Sequence, residues 1–80
     1  MIGTARRVFK MKESIWDVLE TSGWDKATVR RRFYRGLEGS IHYDDLIAYR
    51  AVVTALLDRP ELMRRLLSRI SHRKALKLAG

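Results

Sequence analysis

Glycine and proline punctuation constrains this chain more than any other feature. The glycines are Gly3, Gly23, Gly36, Gly39 and Gly80, and the one proline is Pro60. They cut the sequence into helix-length pieces. No stretch between them alternates apolar and polar residues over the length of a strand. Apolar residues make up 46% and charged residues 32% of the 80 positions, a balance that supports a folded core over disorder. The expectation is an all-α fold, a small bundle of four to five helices in one domain.

Caps and periodicity place the helices. Ser14 followed by Asp17 resembles a capping box, and Ile15, Val18 and Leu19 give the following helix an apolar face, with Trp16 to one side. Gly23 stops it near Ser22, which predicts a short helix over about residues 14–22. Asp25 is an N-cap for the next helix, whose inner row is Val29, Phe33 and Leu37 and whose outer face is Lys26, Arg30, Arg31 and Tyr34. Gly36 is expected to end it. Asp44 and Asp45 start a third helix with an apolar row of Leu46, Tyr49, Val53 and Leu56, widened by Ile47, Val52 and Leu57. Asp58, Pro60 and Glu61 restart a fourth, with Leu62, Met63, Leu66, Leu67 and Ile70 as its stripe. Residues 73–80 read as a frayed basic tail, and a further short helix is expected around Thr4 to Met11, with Val8 and Met11 facing inward.

The formal charge is +8, and it is not spread evenly. Residues 1–12, 24–36 and 59–80 carry +4, +4 and +6, while 13–23 and 37–58 carry −3 each. Separated blocks of one sign suggest elements with separate tasks, and the basic ones can converge on a polyanion. There is no cysteine, which excludes disulfides and thiolate chemistry. The N-terminus lacks the apolar core of a secretory signal and no segment has the length of a membrane span, so a cytoplasmic protein is expected.

The segment Ser14–Arg35 has the layout of a helix-turn-helix: a short capped helix, a turn containing Gly23, and a second helix of about a dozen residues. Trp24 is placed to plug the angle between the two helices, with Val18, Val29 and Phe33 on the inner faces. The pattern S-I-x-D-V-x-x-x-x-G-W-x-K-x-T-V-x-x-x-F, over Ser14 to Phe33, resembles the DNA-binding motif of the tetracycline-repressor family, which commonly reads T-V-x-D-I-A-x-x-A-G-V-S-K-G-T-L-Y-x-Y-F. Leu19 stands where that family has a small residue, and 80 residues leave no room for the family's effector-binding domain. A phage-repressor-like helix-turn-helix is the alternative relative.

The resemblance implies a recognition helix at about residues 25–35 that enters the major groove of double-stranded DNA. Its outward positions would be Lys26, Ala27, Thr28, Arg30, Arg31 and Tyr34. Arg30 and Arg31 suit base reading, because a guanidinium bonds guanine O6 and N7 bidentately, and Ala27 can meet a thymine methyl. Arg32, Tyr34 and Arg35 are assigned to phosphates. Thr28 either meets a phosphate or faces the neighbouring helix. The division expected is a DNA-binding core over 1–57, a dimerising helix over 58–72 and a tail over 73–80. In this reading Leu62, Met63, Leu66, Leu67 and Ile70 exceed what a small core can shelter and form a homodimer seam.

Other chemistries find less support. Ser40, His42, Asp44 and Asp45 include the residue types of a hydrolytic triad but crowd one helix start, so a turn plus a cap is expected. His42 and His72 are too few and too far apart in sequence for a metal site. The last helix has the make-up of an anionic-membrane binder, but dimer packing explains its stripe better. No catalytic constellation, cofactor or metal is expected. The sequence thus points to a transcriptional regulator, such as a repressor, of bacterial, phage or plasmid type. The alternatives are a basic helical protein that binds an acidic surface such as that of RNA polymerase, and an RNA-binding helical domain.

Overall fold

The computed structural model describes residues 13–79, which form four helices with no strand among them: α1 (Ile15–Thr21), α2 (Lys26–Leu37), α3 (Tyr43–Leu57) and α4 (Pro60–Ala79). The all-α expectation is met. The helix expected around Thr4 to Met11 lies outside the described residues.

The capping box of α1 is present. The Asp17 N–H donates to Ser14 Oγ at 3.3 Å, and the Ser14 N–H returns to Asp17 Oδ2 at 2.8 Å. At its other end Gly23 N–H bonds the Glu20 carbonyl and Trp24 N–H reaches back to Leu19, at 3.0 and 3.1 Å. This is a Schellman motif, and Gly23 takes the left-handed position at φ +102°.

The end of α2 repeats that device one turn later than the sequence suggests. Gly39, at φ +103°, bonds the Gly36 carbonyl, and Ser40 bonds Arg35. Gly36 therefore does not terminate α2 but lies inside it. A Cβ there would stand 3.0 Å from the Tyr49 Cβ and 3.2 Å from the Asp45 carbonyl oxygen. Gly36 is the point where α2 crosses α3.

That close crossing also sets which face of α3 turns inward. The buried row is Asp45, Ala48, Val52 and Leu56, with Tyr49 and Ala55 half-buried, whereas Leu46 and Ile47 stay exposed. The expected row of Leu46, Tyr49, Val53 and Leu56 is thus rotated, because Gly36 lets α3 approach through the backbone at Asp45 and the Tyr49 side chain, which turns Leu46 and Ile47 away from α2. Asp45, 3% exposed, is satisfied by the Ser40 hydroxyl at 2.7 Å. Ser40 Oγ in turn accepts the His42 N–H at 3.2 Å, so the cluster makes the bonds of a turn, while His42 at the N-cap position of α3 makes no side-chain cap bond.

Asp58 closes α3 as its C-cap and does not start α4, which begins at Pro60. The Arg59 guanidinium folds back onto the Ala55 carbonyl at 2.7 Å, satisfying an orphan acceptor at the α3 terminus. From there α4 runs unbroken for 20 residues, about 30 Å, so the stretch expected as a frayed tail is helical to Ala79. Leu66, 4% exposed, belongs to the same buried cluster as Ile15, Val29, Phe33 and Val52, and Leu62, Met63 and Ile70 pack on it half-buried. Of the five stripe residues expected at a dimer seam, Leu66 is buried, Leu62, Met63 and Ile70 are half-buried against the chain's own core, and Leu67 is 55% exposed. Among the described residues the other exposed large apolar side chains are Leu37, Ile41, Tyr43, Leu46, Ile47 and Leu57.

Candidate nucleic-acid interface

The α1–turn–α2 unit is held from inside by an aromatic cluster. The Trp16 ring lies 5.7 Å from Phe33 and 6.2 Å from Tyr34, Phe33 meets Tyr34 edge-on at 5.3 Å, and Phe33 stacks on Tyr49 at 5.4 Å. Val29 is fully buried, and Trp24 is half-buried against the same core as expected. Such a cluster orients α2 rigidly by its inner side.

The first turn of α2 is pinned twice. Asp25 Oδ2 accepts from the Thr28 backbone N–H at 3.0 Å and from the Thr28 hydroxyl at 2.9 Å. Those bonds, led by the Thr28 hydroxyl and aided by the positive field of Arg31, hold the Asp25 carboxyl below its ordinary range. Thr28 thus serves the cap. Lys26, expected at the groove, forms an ion pair with Asp17 and lies 3.9 Å from Glu20. It lashes the start of α2 to α1. The bond to Lys26, followed by that to the Ser14 N–H, lowers the Asp17 carboxyl to about 2, and Asp17 raises the Lys26 ammonium in return.

Ala27, Arg30, Arg31 and Arg35 are exposed along the outer side of α2, and Arg32 is half-buried. No ion pair closes on these four arginines among the described residues. Tyr34 departs from its expected outward position: it is 9% exposed, its ring held between Trp16 and Phe33. Its remaining face is covered by Arg73 of α4, whose guanidinium lies 4.2 Å from the ring centroid. The far half of α4 therefore runs beside the outer side of α2. Two shallow clefts of about 430 and 440 Å³ lie between them and share Arg30, Tyr34 and Arg73.

Two features were missed at the sequence level. Arg69 lies outside the apolar stripe of α4, and Arg73 falls in the stretch expected as a frayed tail. Their spacing of four residues, one face of a helix, was the available signal, but it informs only once residues 73–79 are known to be helical. The Asp17–Lys26 pair spans the turn, and no periodicity rule reaches across a turn. Among the described residues no group of His, Asp or Glu is gathered as a metal site, and no helix is long and apolar enough to cross a membrane. Comparison with known protein families, curated proteins and solved structures finds no match to this chain.

Proposed function

We propose that this chain is a sequence-specific DNA-binding regulator of transcription that places α2 in the major groove of duplex DNA. The observation that carries the reading is the one-sided construction of α2. Its inner side is locked into the core, while Ala27 projects from a doubly pinned first turn and Arg30 and Arg31 from the turn that follows. That is the part of a recognition helix that meets base edges. Arg30 and Arg31 read bases, Arg32 and Arg35 meet phosphates, and Lys26, Thr28 and Tyr34 position the helix. The protein works in the cytoplasm, without a cofactor and without catalysis. The resemblance to the tetracycline-repressor motif supports the same assignment.

One helix reads a short half-site, so two copies are needed for a useful operator. The homodimer is retained with its seam moved from α4 to the exposed apolar row of α3 and the loop before it. That same row favours one rival, an interaction protein docking on an acidic partner.

Selection of bound sequences from random duplex DNA tests the proposal. A roughly palindromic consensus is expected, together with a log–log salt slope of about −5 to −7 for five to eight phosphate contacts. Arg30→Ala and Arg31→Ala should each cost about 1–3 kcal/mol of discrimination between that consensus and random DNA. No duplex binding at low salt would sink the reading and leave the interaction protein in its place.

A further inference from the structure

The second of the two clefts is lined by Arg30 and Tyr34 from α2 and by Ser68, Arg69, His72 and Arg73 from α4. Three guanidinium groups share it, and none of the lining residues is acidic. Charges of one sign gathered between low-dielectric walls repel one another, and an anion entering the cleft relieves that repulsion. Arg73 is prepared for an anion in a particular way. Its guanidinium carbon lies over the Tyr34 ring, 4.2 Å from the centroid, a cation–π contact that engages no N–H acceptor and so leaves its donors for a phosphate. That contact also reduces the side-chain freedom lost on binding.

Placement narrows the anion to a phosphodiester of the strand that α2 approaches. The cleft opens along the outer side of α2 between Arg30 and Tyr34, and Arg69 and Arg73 of α4 form its opposite wall. A rod beside a recognition helix meets the backbone bordering the groove, not the bases within it. Resting on the reading of α2 given above, we propose that α2 and α4 form a phosphate clamp for duplex DNA. Arg69 and Arg73 hold the backbone, and Tyr34 is the positioning residue that sets Arg73.

Salt titrations of binding to the selected duplex and to a random duplex test this, with Arg69→Gln, Arg73→Gln, their double variant and Arg73→Lys beside the unaltered chain. Arg64→Gln is the control, because Arg64 pairs with Glu61 on the first turns of α4. Each lost contact should flatten the log–log slope by about 0.9, so the affinity deficit of each single variant should shrink about 3.5-fold between 50 and 200 mM salt. The preference for the selected duplex over the random one should not change. Arg73→Lys should keep the slope but bind more weakly, since it keeps the charge and loses the planar fork. Circular dichroism melts separate these effects from loss of fold. If the double variant keeps the full slope, or if Arg64→Gln flattens it equally, the clamp is refuted while the α2 reading stands. A change in sequence preference on losing Arg69 or Arg73 also refutes it as a backbone contact. A chain that binds no duplex at low salt overturns both.

Discussion

Asp17 joins two tasks in one carboxylate. It closes the capping box of α1 by accepting from Ser14, and it anchors Lys26 at the start of α2. Its folded carboxyl titrates near 2, below the ordinary 3.8, so its contribution to stability is fully present above about pH 4 and is lost as the pH falls through 2. Lys26 is raised above 10.5, so its share persists below that value and is lost only as the pH climbs beyond it. Asp17→Asn keeps a side chain that can accept from Ser14 and removes the charge. The variant should unfold at lower denaturant than the unaltered chain at pH 7, and the gap should close between pH 4 and pH 2. Urea melts at pH 7, 4 and 2 check this; a gap independent of pH would mean that the pair adds nothing.

At the scale of elements the α2–α3 crossing governs how the bundle is built. Gly36 lets the two helices approach closely at Asp45 and Tyr49, and Leu46 and Ile47 face outward as a consequence. Gly36→Ala would gain up to about 1 kcal/mol of helix propensity. It would also press a methyl group against the Tyr49 Cβ and the Asp45 carbonyl, an overpacking cost of about 1–3 kcal/mol. A net loss of about 1 kcal/mol is expected, with a melting temperature lower by about 4–8 °C. A gain in melting temperature would show that the crossing can open at no cost.

For the whole molecule, α4 decides the outcome. Its early half closes the core through Leu66, and its later half reaches Tyr34 through Arg73. Leu66→Glu should therefore unfold the chain, with a loss on the order of 3 kcal/mol or more, and should not yield a folded monomer. The paired variant Leu46→Glu with Ile47→Glu should leave the chain folded, with a melt that no longer depends on protein concentration. Under the proposed assembly it converts a sedimenting dimer into a 9.4 kDa monomer. A folded Leu66→Glu monomer would return the seam to α4. An unaltered chain that sediments as a monomer would remove the dimer altogether.

The sequence by itself determined the kind of elements and the turn between α1 and α2. Those depend on local chemistry: Ser14 and Asp25 capping, Gly23 in a left-handed turn, and apolar residues recurring at helical spacing. It also marked out Arg30 and Arg31 as exposed residues of α2, since the row of Val29 and Phe33 fixes where the opposite side points. Tertiary structure decided the rest. Whether Tyr34 faces water depended on Trp16 and on Arg73, which lie far from it in the chain. Which side of α3 is core depended on how closely α2 approaches at Gly36, a property of two surfaces meeting and not of either helix alone. Whether the α4 stripe was surplus depended on how much of it α1, α2 and α3 could cover. Their combined surface absorbs Leu62, Met63, Leu66 and Ile70, because three helices joined by short turns leave a groove that one long helix can fill.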